Sequence, residues 1–352
     1  MIGRVFKAGG GQLKEEFFIK IKLDIKFSQI TDLENLLEAW REFLKGKKKK
    51  PDVALFQRNL IDNIFSLRDD LISRTYRHGA YQAFNISDPK PRNIHKATVR
   101  DRVLHRAIYR QLYSFFDRIF IASSFSCRLG KGTHRGLKYF QSNGYKVSKN
   151  NTRTAWILKC DIKKFFASVD HKALLKILAQ YITDQDVLWL LKETVGSFEN
   201  KPKIGLPLGN LTSQLFANVY LNEFDQFVKH NLKVKYYLRY ADDFVLLSED
   251  KNWLEGQIPH LKTFLSERLR LTMHPRKIFL KTLASGVDFL GWVNFFHHRV
   301  VRTSTKKKLT KRIKANPTKE TIASYLGLLS HGNTYKLKKK IRLADKFKKD
   351  GA

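Results

Sequence analysis

Between Thr31 and Lys45 the segment TDLENLLEAWREFLK repeats its apolar residues three and four positions apart, the spacing of one buried helix face. The same spacing continues over 52–73 through Leu55, Leu60, Ile64, Leu67 and Leu71, after a basic loop, KGKKKKP, closed by proline. Over 74–99 the period changes. Tyr76, Tyr81, Phe84 and Ile86 precede DPKPRNIHKATVRDR, and the stretch predicts a hairpin that carries basic side chains. A long amphipathic helix is expected at 100–118. The run AWILKCDI at 155–162 reads as a short buried strand, and DHKALLKILAQYI after it as a helix with Asp170 at its N-cap. A helix at 211–230, strands at 235–241 and 243–248, a helix at 253–268 and a strand near 287–295 complete the pattern. Residues 1–30, with glycines at 9–11, read as an irregular lead. Strands and helices alternate without a glycine-rich nucleotide loop. The expected class is therefore α+β, with an antiparallel sheet covered on one face by helices.

Charge changes the picture more than length does. The chain has 352 residues and 43% apolar content, enough for a large core, yet 67 Lys and Arg face 32 Asp and Glu, a net charge of +35. Such an excess repels itself unless a polyanion is the normal partner, and nucleic acid is the commonest. A ribosome-associated protein or a membrane-surface binder would share the composition. The last 48 residues hold 15 Lys or Arg against 3 acids and form a helical, basic module in which Ile322, Leu326, Leu328 and Leu329 keep helical spacing. Cys127 and Cys160 lie in unlike contexts and show no metal-ligand spacing. No stretch of about 18 apolar residues and no cleavable leader is visible, so the expectation is a cytoplasmic protein without a membrane span.

Against this basic background the acids at 242 and 243 stand out. The stretch YLRYADDFVLL flanks two adjacent carboxylates with residues that favour burial, which places Asp242 and Asp243 at the tight turn of a hairpin. Asp161 ends the strand WILKCD in the same manner. Strand-end carboxylates brought together repel one another, and together they make a site for a hard divalent cation bound through oxygen. The competing reading caps each Asp on a turn or pairs it with a lysine.

Taken in order, YADDF, LKCDIKKFFASVDH and GLPLGNLTSQLFANVYL resemble the palm of reverse transcriptases. Upstream, PRNIHKATVRDRVLHRAIYRQLYSFFDRIFIASSFSCRLGKGTHRGL looks like the fingers of bacterial members, and LRLTMHPRKIFL and GVDFLGW look like the motifs after the Asp pair. The resemblance covers roughly 75–335 and implies a right-hand polymerase: an N-terminal extension at 1–73, fingers at 74–150, palm at 151–298 and a basic helical thumb at 299–352. One segment departs from the usual pattern. Intron and retroviral members carry Gln-Gly and then Ser-Pro, where this chain has Leu208-Gly209 and Ser213-Gln214. That departure, with SYLGLLSHGNTYKLKKK at 324–340, resembles the enzymes of diversity-generating retroelements, which copy a template-repeat RNA into cDNA with errors at adenines and work with a small basic oligomeric accessory protein. No RNase H, maturase or endonuclease segment is expected after the thumb.

The resemblance implies roles residue by residue. Asp161, Asp242 and Asp243, with the carbonyl of Ile162, would hold two Mg²⁺ ions. Lys277 would protonate the leaving pyrophosphate, with Arg276 as its rival. Arg92, helped by Lys90, would grip the triphosphate of a deoxynucleotide. Phe166, the fifth residue after Asp161, where the family places an aromatic, would exclude a 2′-hydroxyl; Phe165 competes for the role, and alternation along a strand would leave only one of the two as the gate. Leu208 and Gly209 would lie against the nascent base pair, and Leu208 with Arg92 would set fidelity. The thumb would hold an RNA–DNA duplex by shape and charge. Retron, group II intron-like and phage-defence reverse transcriptases are the alternatives within the enzyme class, and a non-catalytic RNA-binding polymerase relic is the alternative outside it.

Overall fold

The computed structural model describes residues 21–87, 91–315 and 318–341. Its N-terminal layer is helical: α1 (Phe27–Thr31), α2 (Leu33–Leu44), α3 (Pro51–Arg58) and α4 (Leu60–Ile72). The apolar spacing at 31–45 and 52–73 thus yields helices in both places, but each is broken. Asp32 is extended between α1 and α2, and Asn59 leaves helical geometry between α3 and α4. The described part of the expected irregular lead is ordered against the core. Leu23 bridges Ile182, and Ile25 and Ile30 are buried. Leu36, Ala39, Trp40 and Phe43 of α2 share a core with α5 (Val99–Ile119), whose N-cap Thr98 accepts the Asp101 N–H. Between the N-terminal layer and α5 stands the expected hairpin, β1 (Gln82–Ile86) and β2 (Arg92–Lys96), antiparallel from Gln82↔Lys96 to Ile86↔Arg92.

After α6 (Thr133–Val147) comes β3 (Trp156–Asp161), then α7 (Phe165–Ser168), α8 (His171–Ala179), α9 (Gln185–Gly196) and α10 (Leu211–Gln226), which runs on as a π turn over Phe227–Asn231. Asp170 caps α8 as expected, accepting the Ala173 N–H at 2.8 Å. β4 (Tyr236–Tyr240), β5 (Asp243–Ser248), α11 (Lys251–Leu269) and β6 (Phe279–Thr282) follow. The central sheet has the order β4-β5-β3-β6 and is antiparallel throughout.

This sheet is covered on both faces, not one. Strand alternation sends Leu158, Cys160, Tyr237, Phe244 and Leu246 into the large core built with α8, α10 and α11. Ile157, Leu238, Val245 and Leu247 turn the other way, into a second core with Phe140 of α6 and Val287 and Phe289. The near-continuous apolar runs of β3 and β5 are the sequence mark of a two-sided strand.

The expected single strand near 287–295 is a hairpin, β7 (Val287–Phe289) and β8 (Trp292–Asn294), joined to β9 (Arg299–Val301). Leu290 and Gly291 form its turn at φ +52° and +90°, the paired left-handed conformation that two-residue hairpins of this hand need. Beyond it, α12 (Thr303–Ala315) and α13 (Lys319–Leu329) close a small core around Leu309, Ile313, Ile322, Leu329 and Ile341. Leu326 packs against that core, whereas Leu328 is exposed.

Candidate active site

The site forms where β3 and β5 end together. Their register makes Asp161 and Asp243 direct cross-strand partners. Asp242 occupies the two-residue turn between β4 and β5, behind Ala241 at φ +54°. The turn is fixed from two sides. The Asp242 carbonyl accepts the Ile162 N–H at 3.1 Å, and the Ala241 carbonyl accepts from Arg239 Nη1 at 3.2 Å. The loop after α11 closes a third side, with the His274 N–H donating to the Asp161 carbonyl at 2.7 Å and the Lys163 N–H to the Thr272 carbonyl at 2.9 Å.

Two lysines stand on the carboxylates. Lys277 Nζ donates to Asp161 Oδ1 at 2.9 Å, and Lys159 Nζ lies 3.7 Å from Asp243 Oδ1. They do not neutralise the cluster. Burial, then the charges of Asp243 and Asp161, push the Asp242 carboxyl up to about 6. Asp243 is also raised, by burial first and by Asp161, with Lys159 pulling the other way. Asp242 and Asp243 resist ionising beside each other and beside Asp161, which makes these strand ends a site for added positive charge.

The model for reverse transcriptase (RNA-dependent DNA polymerase) matches residues 87–294, which hold every residue of this cluster. The chain belongs to the reverse transcriptase family. Its fold is accordingly the α+β polymerase fold, and its enzyme class is RNA-directed DNA polymerase, which takes an RNA template and deoxynucleoside triphosphates. This reverse transcriptase is 26% identical to protein YkfC of Escherichia coli over 79% of the present chain and 83% of the relative. It is 24% identical to the group II intron-encoded protein LtrA of Lactococcus lactis over 61% of the chain. An uncharacterized 91 kDa protein in the cob intron of Schizosaccharomyces pombe is likewise 24% identical, over 66% of the chain. The match spans 45% of LtrA's length and 31% of the cob intron protein's.

Family members typically use divalent metals. The donor chemistry here fits a hard cation: carboxylate oxygens gathered at strand ends, with their charge only partly compensated by Lys277 and Lys159. Among the described residues, however, no three acid, His or Cys side chains are already drawn into a ligand set.

A second run of expected residues ties the central sheet to the β1–β2 hairpin. Phe165 is buried and Phe166 half-buried, but not by strand alternation. β3 ends at Asp161, and both residues sit on the helical turn α7, where neighbours diverge by about 100°. The Phe166 carbonyl accepts the Leu206 N–H at 2.7 Å, and the Leu208 carbonyl accepts the His95 N–H at 2.9 Å. Gly209 takes φ +107°, and a Cβ there would meet Ile94 Cγ2 at 2.7 Å, so only glycine allows this approach. Arg92 is exposed on β2 and its side chain pairs with no other described residue. Lys90 lies outside the described residues. Arg276 contributes its backbone N–H to His274 Nδ1, while the contact with Asp161 belongs to Lys277.

Sequence reasoning missed Arg239. It is fully buried and meets both oxygens of buried Asp225, through Nε at 2.8 Å and Nη2 at 2.7 Å, while Tyr237 Oη donates to the same carboxylate at 2.7 Å. Nη1 also reaches Asn218 Oδ1 at 3.3 Å. Burial opposes the guanidinium's charge, but Asp225 outweighs it and holds the Arg239 pKa above its ordinary value. One signal was available: a charged residue in the middle of the aromatic strand YYLRY has to find its counter-ion inside.

Proposed function

We propose that this enzyme extends a primer along a template-repeat RNA in a diversity-generating retroelement, producing adenine-mutagenised cDNA for mutagenic retrohoming, with two Mg²⁺ ions and a small basic oligomeric accessory protein. The observation that carries the chemistry is the pairing of Asp161 with Asp243 across β3 and β5, with Asp242 in the adjoining turn. The primer 3′-hydroxyl attacks the α-phosphorus of the incoming triphosphate, the bond to the bridging oxygen breaks, and pyrophosphate leaves. Asp161, Asp242, Asp243 and the Ile162 carbonyl would hold the metal ions, which when bound stabilise the attacking and leaving oxygens.

The remaining steps fall to the chain's own groups. Lys277, whose ammonium already reaches the carboxylate cluster, gives a proton to the departing pyrophosphate. Arg92 and Lys90 take the triphosphate from the fingers side. Phe166 fills the space a 2′-hydroxyl would need, and Leu208 and Gly209 face the nascent pair. The basic segment 299–352 grips the duplex backbone. Support for the retroelement assignment comes from Leu208 standing where glutamine is usual, and from the segment at 324–340.

A second reading, a group II intron-like enzyme, is favoured by the similarity to LtrA and the cob intron protein. The enzyme purified with its flanking noncoding RNA decides between them. Sequenced cDNA with errors concentrated at template adenines supports the retroelement, and evenly accurate cDNA supports the intron-like enzyme. Asp242→Asn with Asp243→Asn should abolish primer extension and leave RNA binding, which rests on the basic surface, largely intact. Synthesis retained in that variant would remove the site as assigned.

A further inference from the structure

Helix α4 is apolar on two faces, and among the described residues only one of them is covered. Ile64, Leu67 and Leu71 are fully buried in the main core. About a third of a turn away, Ile61, Phe65 and Ile72 are 56%, 42% and 51% exposed, and Leu55 on neighbouring α3 is 66% exposed. At 100° per residue, Ile61, Phe65 and Ile72 fall within about 40° of one another, a stripe along the helix rather than scattered positions. Exposed apolar side chains aligned on one helix face beside polar residues are a mark of a docking surface.

The charges beside the stripe say what it accepts. Asp62 and Asp69 line one flank, both exposed, and neither forms an ion pair with another described residue, in a chain that carries 67 Lys and Arg. On the other flank lies Arg68, whose buried Nε has no hydrogen-bond partner among the described residues. Polyanionic RNA is repelled by the two free carboxylates. The complement is an apolar ridge with cations along one edge and an acceptor along the other.

We propose that the exposed face of α4, with Leu55, docks a separate protein through an amphipathic helix whose apolar seam meets Ile61, Phe65 and Ile72 and whose Lys or Arg residues meet Asp62 and Asp69. The surface lies on the N-terminal helical layer, on neither β3 nor β5, so its occupant acts on the enzyme without touching the carboxylates. The inference rests on surface chemistry and stands whether the retroelement or the intron-like reading holds.

The test uses the full chain and two synthetic helical peptides of about 18 residues with one apolar seam, flanked by Lys in the first and by Glu in the second. Binding is read by fluorescence anisotropy at about 0.3 M salt, which screens the general basic surface. The Lys-flanked peptide should bind at least about tenfold more tightly than the Glu-flanked one. Phe65→Ser, and separately Asp62→Lys with Asp69→Lys, should each remove that preference while melting temperature and primer extension stay unchanged, since these side chains are exposed. Equal binding of the two peptides, or a preference that survives Phe65→Ser, overturns the proposal. So does a concentration-dependent dimer that Phe65→Ser abolishes, which would make the occupant a second copy, or a loss of RNA affinity in that variant, which would make the surface a nucleic-acid one.

Discussion

Replacing Asp242 by asparagine should stabilise the metal-free protein while it destroys polymerisation. Burial and the charges of Asp243 and Asp161 move this carboxyl from 3.8 to about 6. At about 1.4 kcal/mol per pH unit, holding it ionised above its folded-state pKa costs the native state about 3 kcal/mol as an upper limit. Asp242 is half-buried and solvent screens part of that cost, which leaves about 1–3 kcal/mol. Linkage fixes the sign. A carboxyl with a raised folded-state pKa binds its proton more tightly when folded, so the cost is absent below about pH 4, grows between about pH 4 and 6, and is complete above that window. Asparagine removes it only where it exists. Thermal unfolding in EDTA at about pH 8 should therefore show the Asn variant melting about 1–4 °C above wild type. The gap should close as pH falls toward about 4, and added Mg²⁺ should narrow it at about pH 8 by stabilising the wild type more. A variant that melts at or below the wild type at about pH 8, or a gap that persists at about pH 4, would refute the reasoning that ties the three carboxylates into one electrostatic unit.

Other substitutions separate the supporting parts. Arg239→Met should cost about 3–5 kcal/mol in urea unfolding, because it strands the buried Asp225 charge, and a loss below about 1 kcal/mol would show that the pair is not the anchor of the turn. Phe165→Ala should lose roughly 3–5 kcal/mol of stability as a core deletion, while Phe166→Ala should mainly raise ribonucleotide incorporation; exchanged phenotypes would reverse the assignment. Gly209→Ala should impair nucleotide incorporation more than stability, since its Cβ would push on Ile94 of β2, and unchanged kinetics would dissociate this contact from catalysis. Leu208→Gln should reduce misincorporation at template adenines, because an amide adds hydrogen-bond discrimination that leucine lacks; an unchanged error spectrum would place fidelity elsewhere.

What the sequence disclosed follows from how local each signal was. The strand carrying Asp161, the Asp242–Asp243 hairpin and the cap at Asp170 were legible because a buried run that stops at a carboxylate is complete within a few residues. The second cover of the sheet was legible only in part: the near-continuous apolar runs of β3 and β5 mark strands buried on both faces, but nothing local says what covers Ile157, Val245 and Leu247, because Phe140 and Phe289 sit far off in the chain. The count from Asp161 singles out Phe166, and strand alternation would explain its divergence from Phe165, but that divergence has another cause: the chain leaves β3 at Asp161 and turns through Lys164 at φ +48° before both residues enter a helical turn. The split of 287–295 turned on Leu290 adopting a left-handed φ, which its side chain disfavours and only the following glycine hints at.

Two acids flanked by aromatic and apolar residues are accounted for by where the positive charge is used. Arg239, the cation nearest to them in sequence, is spent on Asp225 and on the Ala241 carbonyl, so it fixes the backbone of the turn without neutralising the carboxylates the turn presents. Lys277 and Lys159 each meet a carboxylate, yet Asp242 and Asp243 still hold their protons more tightly than ordinary acids. Structural charge is therefore locked in the buried Arg239–Asp225 pair, whereas charge at the strand ends stays in deficit. A site built in this way gains from added positive charge, the form in which family members typically use divalent metals. A permanent arginine in the same place would satisfy the acids and silence them.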